Sequence, residues 1–161
     1  MLNKVINAIE KYDMLKYTEK VTVALSGGAD SVCLLYVLSE LAEKYKISLS
    51  AIHINHMLRG EESDRDEAFC RAFCESRGVP IVCEKADVAA FARQEDLGTE
   101  EAARKMRYAF LERARQSLQG IAYIATAHNK DDFCETILLN LVRGSGLSGL
   151  CSIPRRRDAI I

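Results

Sequence analysis

Apolar positions recur along the chain with two different periods, and the points where the period changes mark its elements. Residues 1–13 place apolar side chains at 2, 5, 6 and 9, a helical stripe broken by charges. Residues 21–25 (VTVAL) are a β-branched run ending at Gly27-Gly28, the pattern of a strand that enters a tight turn. From Ser31 to Tyr45, Val32, Leu35, Leu38 and Leu41-Ala42 return at helical spacing. Residues 48–55 (SLSAIHIN) read as a second strand, followed by a charged loop and a helix near 63–77 that Gly78 and Pro80 stop. Residues 81–86 make a third strand, a short helix follows Asp87, and Thr99-Glu100-Glu101 opens a long helix to about residue 118. Residues 121–127 form a fourth strand, and 130–143 a helix that ends before Gly144. Ala159-Ile160-Ile161 is an apolar stretch without turn or cap, expected to begin a further strand of a longer protein.

Strands alternating with helices of this length predict βαβ units, so the expected fold is α/β with a doubly wound, mostly parallel sheet. Such sheets bind ligands outside the C-terminal ends of their strands. The informative loops are therefore those after residues 25, 54, 86 and 127, and polar side chains collect there.

The 161 residues suit a single domain. With 22 Lys+Arg against 23 Asp+Glu, the net charge of −1 excludes a grossly basic binder. The charge is uneven, however. Residues 59–67 hold five acids against two arginines, while Arg143, Arg155, Arg156 and Arg157 face only Asp158 from residue 142 onward, so a nucleic-acid partner stays open. The run from Val32 to Leu38 is far short of the ~20 apolar residues of a membrane helix. The N-terminus lacks the apolar core of a signal peptide, and a cytoplasmic protein is expected. Six cysteines (33, 70, 74, 83, 134, 151) include no C-x-x-C pair, and reduced, structural thiols are expected rather than a cluster or metal site.

The strongest chemical signal is Ser26-Gly27-Gly28-Ala29-Asp30-Ser31, between a strand and a helix. Two glycines let a ligand approach the backbone closely, and the following helix aims its N-terminal N–H groups and positive dipole at the same place. Ser26 and Ser31 add hydroxyls. No Gly-Lys-Ser/Thr follows, so this is not the P-loop of kinases and GTPases. Asp30 has two readings: a helix N-cap, or a ligand for Mg²⁺ that bridges phosphates.

This hexapeptide resembles the pyrophosphate loop of the ATP pyrophosphatase (PP-loop) superfamily, which cleaves ATP between the α- and β-phosphates and adenylates an acceptor oxygen. Four further stretches narrow the resemblance: His53-Ile54-Asn55-His56-Met57-Leu58-Arg59-Gly60; Glu100 to Arg104 with Arg107-Tyr108; Ala125-Thr126-Ala127-His128-Asn129 with Asp131-Asp132 and Glu135-Thr136; and Arg143-Gly144-Ser145-Gly146 with Gly149-Leu150. In this order they are similar to the N-terminal catalytic part of the tRNA(Ile)-lysidine synthetases, across nearly the whole chain. Phe133 stands where those enzymes usually have Gln, and Asn129 where a second His is frequent. The tRNA-thiolating relatives carry paired C-x-x-C cysteines, which this chain lacks.

The resemblance implies a ligase that uses ATP and Mg²⁺, adenylates the C2 oxygen of the wobble cytidine of tRNA(Ile), and lets the amine of free L-lysine displace AMP. It also implies tRNA-binding domains beyond residue 161, with a homodimer as one open assembly. Ser26, Gly27, Gly28, Ala29, Asp30 and Ser31 would cradle the phosphates, with Asp30 holding Mg²⁺. The backbone around His53 and Asn55 would flank the adenine, whereas His53 and His56 as a metal pair lack a third ligand at a familiar spacing. His128, Asp132 and Glu135 fall at i, i+4 and i+7 and are expected on one helix face, His128 at the phosphates or the cytosine and Asp132 and Glu135 at the cytosine or the attacking amine, with a catalytic metal triad as the alternative. Arg107 is the expected phosphate or nucleotide contact; Arg104 and Arg107 also read as solvated charges able to pair with Glu100 and Glu101. Arg143 is either a tRNA contact or part of a plain helix end, and Arg155, Arg156 and Arg157 either grip tRNA phosphates or flank an edge strand. Two alternatives stand beside this reading: a PP-loop synthetase acting on a small molecule, and a nucleotide-binding module without turnover.

Overall fold

Each predicted strand and helix has a counterpart in the computed structural model, which describes residues 2–15, 19–58, 60–117, 123–146, 152–154, 156 and 159–161. In chain order these are α1 (Leu2–Lys11), β1 (Lys20–Ala24), α2 (Ala29–Tyr45), β2 (Ser48–Asn55), α3 (Glu61–Ser76), β3 (Ile81–Lys85), α4 (Val88–Glu95), α5 (Thr99–Ser117), β4 (Tyr123–Ala125) and α6 (Lys130–Val142). Helix α2 starts two residues before the apolar spacing predicts, because Gly28 in an extended conformation serves as its N-cap. Asp87 caps α4 by accepting the Ala90 N–H at 2.8 Å. The predicted fourth strand begins at residues that lie outside those described.

The strands form one parallel sheet in the order β3-β2-β1-β4. Chain growth runs outward from β1 through β2 to β3, then returns across the sheet to place β4 on the other side of β1. That reversal creates a crevice at the C-terminal ends of β1 and β4, the place where open α/β sheets bind ligands. Beyond β4, Ile160 bridges Ile124 in parallel, with the Ile161 N–H donating to Ile124 O at 2.9 Å.

Period-2 alternation divides the sheet into two faces. Val21, Val23, Ala51, Tyr123 and Ala125 point to one face, where Leu35, Leu38 and Leu41 of α2 and Cys70 and Cys74 of α3 complete the main core. Ile52 and Ile124 point to the other, against Phe110 and Leu111 of α5. The central strand β1 and β4 are thus covered on both sides and read as nearly continuous apolar runs, whereas Val82 leaves one face of β3 exposed. Burial pushes the thiols of Cys70 and Cys74 up to about 12 and about 11, so both are protonated at neutral pH. The described cysteines are all free thiols, as the sequence predicts, and Cys151 lies outside the described residues. Helix α6 has no buried residue, and Leu138, Leu139, Leu141 and Val142 are exposed. No helix among the described residues is long and apolar enough to cross a membrane.

Candidate active site

The turn after β1 is braced by its own hydroxyls. Ser31 Oγ donates to Gly28 O at 2.9 Å and accepts from the Ser26 N–H at 3.1 Å. Ser26 Oγ accepts the Gly28 N–H at 3.3 Å and sits 3.0 Å from Ser31 Oγ. The Ser31 proton is therefore committed to the loop itself, and Ser26 supplies the hydroxyl that can turn toward a ligand. Gly27 makes the turn at φ +88°, where an added Cβ would lie 3.5 Å from Asp66 Cβ and Cys70 Sγ of α3. The first N–H groups of α2 have no partner within the helix by position, so they present a donor set beside the loop. Asp30 lies in this first turn but does not cap α2, whose cap Gly28 makes no side-chain bond. The capping reading of Asp30 is thereby set aside.

Across the crevice, the loop after β4 meets this turn directly. Asn129 donates from Nδ2 to Asp30 Oδ2 at 3.1 Å, while its Oδ1 accepts the N–H groups of Asp131 and Asp132 as the N-cap of α6. Asp132 completes a capping box by accepting the Asn129 N–H at 2.8 Å. One asparagine thus ties the two loops together. The expected helical stripe is corrected here: His128 precedes the cap and is not on α6. It still approaches Asp132, at 3.6 Å from Nδ1 to Oδ2, through the cap turn. Glu135, on the exposed surface of α6, does not line the cleft described below.

The end of β2 divides its residues between the two faces. His53 and Asn55 point toward α2 and α3 and are 3% and 2% exposed, so neither side chain reaches the crevice. The His53 ring is 2.8 Å from Leu25 O through Nδ1; a carbonyl only accepts, so Nδ1 carries the proton. This bond holds the last residue before the glycine turn. Asn55 donates to Asp64 at 3.0 Å and Glu67 at 3.2 Å, and its Oδ1 accepts the Met57 N–H at 3.0 Å. Lys85 joins Asp64 at 2.8 Å, and Arg71 joins Glu67 at 2.8 Å. The side-chain bonds from Lys85 and Asn55 hold the Asp64 carboxyl below its usual value, as the bonds from Arg71 and Asn55 do for Glu67. His53 and Asn55 therefore shape loops from behind the sheet. The alternation of β2 carried this signal: 52 and 54 share one face, 53 and 55 the other.

Together these loops enclose a cleft of about 350 Å³. Ala24, Leu25, Ile52, Ile54 and Leu111 supply an apolar wall, and Ser26, Gly28, Ala29, Asp30, Ser31, Thr126, Ala127, His128 and Asp132 a polar one, with His56 and Arg107 also in the lining. Apolar lining beside convergent polar groups is the usual make-up of a small-molecule site. Sequence reasoning had not placed His56, Thr126, Ala127 or Leu111 in it. Among the described residues, no three His, Cys, Asp or Glu side chains converge as a metal cage. Asp30 still suits Mg²⁺, which is commonly held by one or two carboxylates together with substrate phosphates. Its Oδ2 meets Asn129 while the carboxylate stands exposed at the cleft rim.

A second groove lies at α5 and the end of α6. Glu101, Arg104, Lys105 and Tyr108 of α5 line it with Arg143 from the end of α6, and the Arg104 guanidinium lies 5.8 Å from the Tyr108 ring centre. Arg156 is turned the other way, donating to the Tyr123 hydroxyl at 2.7 Å over that ring. Arg155 and Arg157 lie outside the described residues.

The chain is 40% identical to the tRNA(Ile)-lysidine synthase of Clostridium acetobutylicum over 158 residues, covering 98% of this chain and 34% of that protein. It is 45% identical to the enzyme of the same name from Parabacteroides distasonis, covering 100% of this chain and 36% of the relative. The chain thus spans about a third of the length of the curated relatives it matches. Among solved structures, the U34-tRNA thiolase NcsA from Methanococcus maripaludis superposes with a TM-score of 0.72 at 24% identity, over 92% of this chain and 51% of that one. That likeness confirms the α/β fold. The family model described as the PP-loop domain, which implies ATP binding, matches residues 1–160, and the chain belongs to the PP-loop domain family.

Proposed function

We propose that this chain is the catalytic part of a cytoplasmic tRNA-modifying ligase that joins lysine to the wobble cytidine of tRNA(Ile) at the expense of ATP. The observation that supports this most is the junction of the braced glycine turn with the His128–Asp132 loop in one cleft, tied by Asn129 to Asp30. That relatives at 40–45% identity are named tRNA(Ile)-lysidine synthase supports tRNA(Ile) as the acceptor and lysine as the amine.

In the first step the C2 oxygen of the cytidine attacks the α-phosphorus of ATP, the Pα–O–Pβ bond breaks, and pyrophosphate leaves. The backbone N–H groups of the turn and of the first turn of α2, together with the Ser26 hydroxyl, take the phosphate oxygens. Because the loop is already braced by Ser31, these donors need little reorganisation as charge shifts to pyrophosphate. Asp30 would hold Mg²⁺, which supplies charge neutralisation at the phosphates. Arg107 adds a fixed positive charge on the α5 side. In the second step the lysine amine attacks C2, the C2–O bond breaks, and AMP departs. Cytosine C2 is a poor electrophile until its oxygen becomes part of this leaving group. His128 and Asp132, 3.6 Å apart, form the pair suited to accept the proton that the amine must lose. Glu135 sits outside the cleft on the exposed surface of α6, so it has no part in either step within the cleft.

The test supplies the chain with ATP, Mg²⁺, lysine and isoleucine tRNA carrying a wobble cytidine, and weighs the tRNA. A mass gain equal to lysine less water, dependent on ATP, supports the proposal. ATP cleavage without that gain points to a different acceptor.

A further inference from the structure

Asn129 performs two tasks with one amide, and the cap of α6 accounts for only one of them. Its Oδ1 accepts the N–H groups of Asp131 and Asp132 at 2.7 and 3.1 Å, which closes the N-terminus of α6. Those two donors fix which way the amide faces, because only its oxygen can accept them. Its Nδ2 is thereby turned toward the glycine turn and donates to Asp30 Oδ2 at 3.1 Å, across the crevice. Capping requires an acceptor alone, and aspartate or serine caps a helix about as well as asparagine. Aspartate has no proton to give, however, and a serine oxygen takes the place of Cγ, one bond short of Nδ2. The donor is what sets asparagine apart here, and its acceptor is Asp30.

Asp30 is exposed in the first turn of α2, where a carboxylate changes rotamer freely unless something holds it. The bond from Asn129 fixes its orientation at the cleft through Oδ2 and leaves Oδ1 as the oxygen for a ligand. Asp30 lines the cleft and Asn129 does not, so Asn129 acts through Asp30 rather than on a bound molecule. The same residue is anchored on its other side. Its main-chain N–H donates to Asp132 Oδ2 at 2.8 Å, the oxygen that lies 3.6 Å from His128 Nδ1. One residue thus sets the spacing between Asp30 and the His128–Asp132 pair.

We infer that Asn129 is a positioning residue whose Nδ2–H fixes the Asp30 carboxylate for the divalent cation that accompanies ATP, a role separate from its cap on α6. This rests on the placement of Mg²⁺ at Asp30 proposed above. Donors behind a ligating carboxylate contribute about 10–100-fold to metal affinity.

Two substitutions separate the roles. Asn129→Ser keeps a capping oxygen and removes the donor, whereas Asn129→Ala removes both. ATP affinity is measured by calorimetry with Mg²⁺ and again in excess EDTA, below the unfolding midpoint recorded for each variant. The inference predicts that Asn129→Ser unfolds close to the parent and Asn129→Ala earlier. With Mg²⁺, the ATP affinity of Asn129→Ser should fall about tenfold or more, and in EDTA it should equal the parent's. In an Asp30→Asn background, adding Asn129→Ser should change nothing further, since the carboxylate it positions is gone. Parental affinity for ATP with Mg²⁺ in Asn129→Ser overturns the inference. So does a loss of the same size in EDTA or in the Asp30→Asn background, which would place the effect on the loop rather than on Asp30. A parent chain that binds ATP no better with Mg²⁺ than in EDTA would instead refute the placement of Mg²⁺ at Asp30. A parent that does not bind ATP refutes the function proposed above, and this inference falls with either.

Discussion

Gly27 and Gly28 are adjacent, yet the structure assigns them different duties, and alanine at each should separate those duties. At Gly27 the backbone has φ +88°. An added Cβ would lie 3.5 Å from Asp66 Cβ and from Cys70 Sγ, ordinary contact distances, so the cost there is conformational rather than steric. Left-handed backbone costs a non-glycine residue about 1–2 kcal/mol. The lower entropy of the unfolded alanine chain offsets roughly 0.4–1 kcal/mol of that. Gly27→Ala should therefore destabilise by about 1 kcal/mol, which for a chain of this size lowers Tm by roughly 2–4 °C. At Gly28 the backbone has φ −72° and ψ 157°, open to any residue. Its Cβ would meet Ser26 Oγ at 3.4 Å, which a small rotation relieves, and would otherwise stand in the cleft that Gly28 lines. Stability of Gly28→Ala should stay within about 0.5 kcal/mol of the parent, while its ATP affinity falls at least about tenfold, because phosphate can no longer approach the backbone. Thermal unfolding and calorimetric titration with ATP and Mg²⁺ read the two effects separately. A Gly28→Ala variant that binds ATP normally, or that loses more stability than Gly27→Ala, would refute this division.

Three further outcomes are expected. Asp30→Ala should abolish ATP cleavage in the complete reaction while leaving the circular dichroism spectrum unchanged, since the side chain is exposed; retained cleavage would remove Asp30 from the site. His128→Ala should lower tRNA-dependent ATP cleavage by at least ~100-fold, the lower range for a positioned acid–base group, and a normal rate would leave His128 a structural residue. Asp64 and Glu67 titrate below their usual values in the folded chain, so the unfolded chain binds more protons in acid and stability rises with pH there. Their contribution is complete above the ordinary carboxylate range and is lost as pH falls below about 4. Unfolding followed from pH 6 to pH 3 should show that loss reduced in Asn55→Ala, in which both carboxylates lose a donor.

Hydrophobic periodicity was enough to read every described element, because β-branched runs and helical stripes state local geometry directly. The strand 48–55 has its predicted bounds as β2, and its C-terminal half is buried. Parallel order followed from the length of the connections, and the crevice loops followed from parallel order. Three features were out of reach for reasons of geometry. His128 was placed on a helix face because the spacing to Asp132 matches a helix, but Asn129 takes the cap and starts α6 one residue later. His53 and Asn55 are expected to offer only backbone to the adenine, and the burial of both side chains behind the sheet, legible in the period-2 alternation of β2, leaves that expectation untouched. The bond from Asn129 to Asp30 joins residues 99 apart, and no local pattern reports a contact of that range. Arg107 and Leu111 enter the cleft from α5, whose packing against the far face of the sheet depends on the return of the chain from β3 to β4.

The central claim is that the crevice between β1 and β4 takes ATP with its phosphates on the glycine turn. Titration of the isotopically labelled chain with ATP and Mg²⁺, followed by backbone amide resonances, tests it most directly. The account predicts saturable shifts at Gly27, Gly28, Ala29, Asp30 and Ser31, accompanied by shifts at Thr126, Ala127 and His128 across the crevice and at His56. Shifts confined to the groove of Arg104, Lys105, Tyr108 and Arg143, with the glycine turn unmoved, would contradict it.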